Sequence, residues 1–438
     1  MARIAYYGAG GAPFHHAAIL SSAGHEAAFV FPHDILAGAL ESFDAFVMPG
    51  GGYRAMQGQL DPLGADGCRA IREYVAGGGM YIGSCAGSYD AATAPASFLQ
   101  LCPAQQELRL LDATVWNTGD GGMFGVLRSP GIGVLVAENA DPAHPVMAGI
   151  GPEFRITHYN GPLFTGGHAL ARVRGTTEDF TAAEEFFGAQ EEPKLVELGA
   201  EAGAANIVAG RHGAGRVVLF GSHPEFGTSP AMDDFTDTAR MLINAVDWQL
   251  GESAAAPRPH QAVTMDARVP DDVRAADLSA LPSLVTRITE TCKVLAERTA
   301  NAPWLAPRAA MSLFGRDPVV VWEQAIEAIP VLAAEAAAGA AAVPAPMLSF
   351  RPPESWPVDG GFHGVAPLLG QAADMLTAAT TAWQDSWPGP PSQAYEHMRE
   401  GPYHLVAGSY LAAIGRVGAA ALLVRSLGIA APAVPTAR

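Results

Sequence analysis

The segment from Met80 to Tyr89 constrains the fold of this chain more strongly than any other feature of the sequence. A short apolar run leads into Gly83-Ser84-Cys85-Ala86-Gly87, which predicts a buried strand, a tight turn and then a helix. A nucleophile on such a turn needs small neighbours, because the backbone there is strained and closely packed. The helix that follows would favour a thiolate at Cys85 through its N-terminal amides and its dipole. On this motif alone, a catalytic thiol and a buried structural cysteine both stay open.

Residues 1 to about 251 alternate between short apolar runs and segments with helical spacing, with short connections between them. This alternation predicts one α/β domain of the flavodoxin-like type, with a mostly parallel sheet and helices on both faces. In such sheets the functional loops lie at the carboxyl ends of the strands. We expect strands at Arg3 to Tyr7, Ala27 to Phe31, Asp44 to Met48 and Met80 to Ser84, with helices around His15 to Ala23 and Asp66 to Val75.

The pattern changes after about residue 108, where Gly and Pro separate short β-like runs. These runs predict antiparallel strands or an inserted extension of the sheet. A hairpin should follow, with its second strand leading into His223-Pro224-Glu225, and an amphipathic helix should close the domain. The expected strands are Ala113 to Trp116, Ile132 to Ala137, Phe154 to Tyr159, Ala169 to Arg174, Asn206 to Ala209 and Arg216 to Gly221, and the helix is Phe235 to Leu250.

His223 and Glu225 form the second informative pair in this domain. Residues two apart in an extended segment point to the same side, so the carboxylate can hold the imidazole in one tautomer. The imidazole can then take a proton from a thiol. Read alone, His-Pro-Glu is more often a satisfied surface pair. Its value comes from Cys85, because both motifs follow an apolar strand and should lie on the same edge of the sheet.

The rest of the chain has a different character. Residues 252–271 are rich in Ala, Pro and polar residues and predict a linker. Residues 272–438 predict an all-α bundle of about four helices, whose role could be to cover the active-site edge, bind a substrate or partner, or mediate dimerisation. The helical segments are Leu278 to Arg298, Pro318 to Ala338, Gly364 to Trp383 and His397 to Leu427.

Composition limits the classes of function. The chain has 438 residues, of which 49% are hydrophobic and 16% charged, as in globular proteins. A net charge of -18 argues against general binding to nucleic acid or to an anionic membrane. The four cysteines have no paired spacing, which favours a reducing cytoplasm, and the N-terminus does not resemble a signal peptide. Arg416 and Arg425 interrupt the apolar segment Leu405 to Leu427, which therefore predicts a buried helix rather than a membrane span.

Two further motifs give no cofactor. The glycines after the first strand resemble a dinucleotide fingerprint, but Pro13 occupies the place of its last glycine. His15 and His16 are adjacent, so their side chains should diverge, and no nearby residue has metal-ligand spacing. We therefore expect a solvated loop there, with no metal and no cofactor.

Three motifs together resemble the class I glutamine amidotransferase-like superfamily, which includes relatives of the DJ-1/PfpI type. They are Pro49-Gly50-Gly51-Gly52, the Cys85 turn and His223-Pro224-Glu225, in the order that this superfamily has. Within it, Cys85 to Tyr89 and His158 to Phe164 are most similar to the N-terminal domain of biotin-protein ligases. The resemblance covers roughly residues 1–251. No ligase catalytic domain is evident after it, so ligase activity is not implied.

The resemblance implies a cysteine-dependent reaction on an amide or ester through a thioester. Cys85 would attack, His223 would be the base and Glu225 would orient it, while amides near Gly51, Gly52 and Ala86 would form the oxyanion hole. Tyr89, Tyr159 and Asn160 would line the substrate pocket.

One departure from the superfamily bears on the substrate. Tyr89 stands where glutaminases of the superfamily carry Gln, which puts glutamine recognition in doubt. The expected partners are a small-molecule or peptide amide substrate and, through the helical region, a second copy of the chain or an acceptor protein. A catalytically silent module that senses a ligand or binds a partner is the alternative.

Overall fold

We describe the protein from a computed structural model. The structure describes residues 1–9, 13–50, 55–93, 99, 103–117, 131–177, 180, 195–227, 236–252, 271–301, 318–342, 348, 364–386 and 417.

The chain divides into two compact units. The first contains the described residues up to Glu252, and the second contains those from Asp271 onward. Most of the predicted linker, residues 253–270, lies outside the described residues. The boundaries 1–251, 252–271 and 272–438 therefore stay a prediction.

The first unit is built on one sheet with eleven described strands. They are β1 (Arg3–Tyr7), β2 (Glu26–Val30), β3 (Ala45–Met48), β4 (Met80–Ser84), β5 (Ala113–Val115), β6 (Ile132–Asn139), β7 (Glu153–Tyr159), β8 (Phe164–Gly166), β9 (His168–Thr176), β10 (Ala205–His212) and β11 (Gly215–Phe220).

Half of this sheet is parallel. The strands β2-β1-β3-β4-β11 lie side by side in this order, and each neighbouring pair is parallel. Numbered along the parallel part alone, the order is 2-1-3-4-5, which is the flavodoxin-like arrangement. Because the strands are parallel, β3, β4 and β11 end at the same edge, where Gly50, Cys85 and His223 follow them. The predicted fold class is confirmed for this region.

The other half is antiparallel and continues from β11 through β10, β9, β6 and β7. Strand β8 pairs with β10 and with β5. The hairpin β10–β11 turns between His212 and Gly215, as its sequence predicts. Tyr159 lies at the end of β7 in this extension. Its carbonyl oxygen is 3.2 Å from the Cys85 Sγ, so the extension reaches the edge of the sheet where Cys85 lies.

Helices cover both faces of the parallel half. Ala5 and Tyr7 of β1 pack in a buried cluster with Leu60 of the third helix, whereas Ile4 and Tyr6 are equally buried but face the other side. On that second side the first helix contacts β1 and β3 and packs against the last helix of the unit. The helices are α1 (Pro13–Ser22), α2 (Pro32–Leu36), α3 (Ala55–Ala76, kinked at Gly64), α4 (Ala86–Ala91), α5 (Gln105–Leu108), α6 (Leu195–Glu201) and α7 (Thr236–Glu252).

The second unit is helical in its described residues. Helix α8 (Asp271–Asn301) packs against α9 (Pro318–Gly339) and α10 (Val365–Ser386). Leu281, Ile288 and Leu295 repeat every seven residues along α8 and are buried. The predicted helix His397 to Leu427 lies outside the described residues except for Val417, which is buried. Within the described residues, we find no helix with the length and apolar character that a membrane crossing requires.

Two glycines let α4 lie directly against the sheet. A Cβ at Gly87 would lie 2.2 Å from the backbone oxygen of Met48, and a Cβ at Gly83 would lie 2.6 Å from the backbone oxygen of Gly87. Both obstructing atoms belong to the backbone of packed elements, so neither can move aside cheaply. The glycines on either side of Cys85 are therefore a packing requirement of the strand–turn–helix junction.

We expect Gly87→Ala to lower the free energy of unfolding by about 1–3 kcal/mol, because the added methyl group overpacks the contact with β3. Denaturant titration measures this change. Gly251→Ala is the matched control, since a Cβ at that helical position meets nothing within 4 Å. It should leave stability unchanged or raise it by up to about 1 kcal/mol. Equal stability of the two variants would contradict the packing role of Gly87.

Candidate active site

Cys85 lies on a strained turn between β4 and α4. Its backbone has φ 48° and ψ −107°, and Asn160 is the only other described non-glycine residue with a positive φ. Such conformations cost about 1–3 kcal/mol and persist only where the surroundings impose them. Here the backbone N–H of Cys85 donates to the carbonyl oxygen of Phe220 at the end of β11, 2.8 Å away. The two parallel strands therefore fix the position of the thiol, whose residue is 8% exposed.

Gly50 follows β3 and lies against both chemical groups of the site. A Cβ at this position would lie 2.5 Å from Cε1 of His223 and 2.8 Å from Cβ of Cys85. Only a residue without a side chain leaves room for the thiol and the imidazole together. The predicted oxyanion residues Gly51 and Gly52 lie outside the described residues.

His223 and Glu225 form a buried ion pair. His223 comes after β11, and Glu225 lies in the single helical turn Pro224–Phe226. The imidazole Nδ1 lies 2.7 Å from Oε1 of Glu225, and the two side chains are 2% and 0% exposed. The ring of Phe226 stacks on the imidazole at 4.7 Å, and the His223 backbone N–H donates to Thr157. Phe226 thus covers one face of the imidazole, and Glu225 holds its Nδ1.

The charges of this pair are stabilised by each other. Burial alone would lower the pKa of His223, but the Glu225 carboxylate and then Cys85 outweigh burial and raise this pKa well above its usual range. Burial alone would raise the pKa of Glu225, but His16 and then His223 outweigh it and lower this pKa. An imidazolium beside a carboxylate is the favoured state, since each ion supplies the opposite charge that the other needs in a buried site.

Cys85 lies within electrostatic reach of His223, because it raises the pKa of the imidazole. In the resting arrangement, however, the thiol donates to the carbonyl oxygen of Tyr159, and Nε2 of His223 has no described partner at normal hydrogen-bond geometry. A looser contact with the Cys85 side chain is nevertheless present, because Cys85 raises the pKa of His223 both by its charge and by a side-chain hydrogen bond. Catalytic hydrogen bonds are often longer before substrate binds than afterwards.

The structure adds a histidine that the sequence analysis placed in a solvated loop. Pro13–Ser22 is a helix, and both His15 and His16 are buried in it, so that expectation was wrong. His16 Nε2 lies 2.8 Å from Oγ of Ser84 and 3.3 Å from Oε2 of Glu225. His16 therefore contacts the second oxygen of the carboxylate, while His223 binds the first. The helical spacing around these residues was visible in the sequence, but the face of the helix that meets Glu225 was not.

Two more histidines lie near the ion pair, and burial keeps both of them neutral. Burial lowers the pKa of His15 and of His158 to about 3, and the nearby charge of His223 contributes to both shifts. The ring of His15 meets Phe226 edge-on at 4.9 Å, and Nδ1 of His158 lies 3.1 Å from Oγ of Ser222. His15 and His158 therefore add no positive charge to the site at neutral pH.

Tyr89 and Asn160, predicted to line the substrate pocket, are joined to each other by a hydrogen bond. The Tyr89 hydroxyl donates to the backbone oxygen of Asn160 at 3.1 Å and accepts from Nδ2 of Asn117 at 2.6 Å. Asn117 also accepts from the Leu163 N–H, and the side chain of Asn160 accepts from the Gly131 N–H. Tyr89 thus holds the segment after β7 against the nucleophile. No sequence signal pointed to Asn117.

The remaining predicted residues lie close to the thiol. Tyr159 meets the His223 ring edge-on at 5.8 Å, and its buried hydroxyl has no described hydrogen-bond partner. Ala86 is the first residue of α4, so its N–H has no acceptor within the helix. Among the residues that the structure describes, no set of three or more His, Cys, Asp or Glu side chains is arranged to hold a metal ion.

Comparisons with known proteins support the resemblance in part of the chain. Residues 40–99 match the family model described as the N-terminal region of biotin-protein ligase. This segment contains β3, α3, β4 and the Cys85 turn, whereas His158 to Phe164 lies outside it. No curated protein matches the sequence.

Several solved structures are similar at low identity. A cytoplasmic protein from Salmonella typhimurium and PurLQS from Thermotoga maritima are each 14% identical, with 57% of this chain and 98% of that chain covered and a TM-score of 0.34. A ThuA-like protein from Parabacteroides merdae is 14% identical, with 60% and 95% covered and a TM-score of 0.35. Structural similarity at these TM-scores gives no information about function.

We expect the buried neutral histidines to make stability depend on pH. The pKa of His15 is about 3 in the fold, whereas an unfolded histidine titrates near about 6.5, so the unfolded state binds more protons between these values. The free energy of unfolding should therefore fall as the pH falls from about 7 to about 5, by about 2 kcal/mol for this residue. His15→Phe should remove that part of the loss in denaturant titrations at the two pH values. The exposed control His33→Phe should keep it, and an unchanged loss in His15→Phe would contradict the assignment.

Proposed function

We propose that the first unit is a cysteine-dependent amide-processing enzyme, a hydrolase or an amidotransferase that works through a thioester. One observation carries the proposal. A buried His223–Glu225 ion pair lies within electrostatic reach of Cys85, which stands on a strained turn at the same edge of the sheet. A structural cysteine needs neither a positive φ nor an oriented imidazole beside it.

The first half of the reaction forms the thioester. In the reactive state the proton of the Cys85 thiol lies on Nε2 of His223, so the imidazole is charged, and the sulfur attacks the carbonyl carbon of the substrate as a thiolate. The electron pair of the C=O bond moves to oxygen, and the oxyanion is met by the free N–H of Ala86 and, in this proposal, by amides near Gly51 and Gly52. When the carbonyl re-forms, the C–N bond breaks and the imidazolium gives its proton to the leaving amine.

The second half releases the acyl group. Water, or an acceptor amine in an amidotransferase, gives a proton to His223 and attacks the thioester carbonyl. The carbonyl re-forms as the C–S bond breaks, and the thiolate takes back the proton. Through both halves Glu225 keeps the imidazole in one tautomer, and His16 keeps Glu225 ionised from the other side.

The substrate class is an amide or an ester of a small molecule or peptide. Glutamine is less well supported, because Tyr89 occupies the place of the usual glutamine residue and its hydroxyl is already bound by Asn117 and Asn160. A cytoplasmic location, and a second copy or an acceptor protein bound through the helical region, stay predictions.

The alternative is a catalytically silent module that binds a ligand or partner. It draws support from the resting thiol, which donates to the carbonyl oxygen of Tyr159. If that bond is permanent, the pocket could recognise a ligand without attacking it. The reactivity of Cys85 separates the two readings without any knowledge of the substrate.

We expect iodoacetamide at neutral pH to label Cys85 first, ahead of the buried Cys68 and Cys292. His223→Ala should slow this labelling at least tenfold, since it removes the group that accepts the thiol proton. The exposed control His33→Ala should not. Peptide mass spectrometry gives the rate for each cysteine.

Enzymatic turnover of candidate substrates is the second test of the proposed function. Amide and ester substrates, with glutamine among them, should give activity that is abolished in Cys85→Ala and reduced about 10²–10⁴-fold in His223→Ala. Uniform slow labelling of all cysteines in the wild-type protein, with no effect of His223→Ala, would rule out the enzyme and favour the silent module.

A further inference from the structure

A cleft of about 560 Å³ lies away from Cys85. Its charged lining comes from Arg72 on α3, from Arg109 and Asp112 after α5, and from Arg211 and His212 at the end of β10. The hairpin turn after His212 leads into the start of β11, whereas the active-site edge lies at the end of β11. The strand between them has six residues, so at about 3.3 Å per residue the two sites lie at opposite edges of the sheet.

The cleft concentrates positive charge in an acidic protein. Among the described lining residues, three guanidinium groups stand against one carboxylate, that of Asp112, while the chain as a whole carries a net charge of -18. Burial, and after it the positive charge of Arg72, lowers the pKa of His212. Like charges gathered in this way repel one another in the empty protein, and an anion bound between them would offset that repulsion.

The contacts within the cleft hold its lining in place. Nη1 of Arg72 donates to the backbone oxygen of Arg109 at 3.2 Å, and Nη2 of Arg109 lies 3.3 Å from Oδ1 of Asp112. Nδ1 of His212 lies 3.2 Å from the backbone oxygen of Leu110. A helix, a strand end and the segment after α5 are therefore tied together around the opening. The guanidinium groups of Arg72 and Arg109 each have more donors than these contacts use.

We propose that this cleft binds a small organic anion with more than one negative charge, through phosphate or carboxylate groups. Guanidinium groups match both groups with paired hydrogen bonds, and Thr93 and Gln106 add neutral polar side chains to the lining. The volume lies within the range of small-molecule sites, about 300–1,000 Å³, and exceeds the space that one inorganic ion fills. The proposal does not depend on the reaction at Cys85.

The cleft is connected to the nucleophile through the end of α4. The backbone N–H groups of Leu110 and Leu111, which line the cleft, both donate to the carbonyl oxygen of Ala91. Ala91 ends the helix that begins directly after Cys85. The lining of the cleft is therefore hydrogen-bonded to the helix that follows Cys85.

The experiment measures binding of pyrophosphate and of citrate to the full chain by calorimetry, at constant ionic strength set with sodium chloride. The first probe represents phosphate ligands and the second represents carboxylate ligands. At least one should bind with a stoichiometry of one and raise the melting temperature. Arg72→Gln and Arg211→Gln should each weaken that binding at least tenfold. The probe that binds more tightly identifies the chemistry of the ligand.

Arg69→Gln is the matched control, since Arg69 lies one turn before Arg72 on α3, pairs with Asp66 and does not line the cleft. It should bind the probe as the wild-type protein does. Circular dichroism and melting in chloride alone check that each variant is folded. The proposal is wrong if neither probe binds, or if Arg69→Gln weakens binding as much as Arg72→Gln. Labelling of Cys85 is measured separately, so failure here leaves the proposed enzyme untouched.

Discussion

The buried negative charge of Glu225 is the constraint on which the candidate site depends. A carboxylate without solvent exposure is tolerated only when cations and hydrogen bonds surround it. His223 binds one of its oxygens and His16 contacts the other, so the carboxylate fixes two imidazoles at once. The preference of His223 for its charged form follows from this arrangement.

The parallel half of the sheet brings these groups together. Cys85 follows β4 and His223 follows β11, two neighbouring parallel strands, although 138 positions separate them along the chain. Gly50 follows β3 and keeps the space between thiol and imidazole open. The antiparallel half supplies Tyr159, whose carbonyl oxygen holds the resting thiol. Tyr89 holds the segment that follows Tyr159, because its hydroxyl donates to the carbonyl oxygen of Asn160.

Much of this arrangement could be predicted from the sequence, and the limits have physical reasons. The strands of the parallel half are visible in the sequence as apolar runs, most of which end in glycines. Cys85, His223 and Glu225 stand out because each follows such a run. His16 gave no comparable signal, since its importance depends on how α1 is rotated against the sheet. Asn117 was missed for a similar reason, because its hydrogen bonds with Tyr89 and Leu163 join segments that are distant in the sequence. Gly50 lay within a recognised motif, but which of its glycines faces the thiol depends on the path of the chain after β3.

The most direct test of the account is the titration of the His223 imidazole, followed by NMR in the intact protein and assigned by its loss in His223→Gln. The account predicts a pKa well above the usual value of about 6.5, and a fall of about 1–3 pH units in Glu225→Gln, where the carboxylate is replaced by a neutral amide. An imidazole that titrates near about 6.5 in both proteins would contradict it, because Glu225 would then not hold the charge on which the site depends.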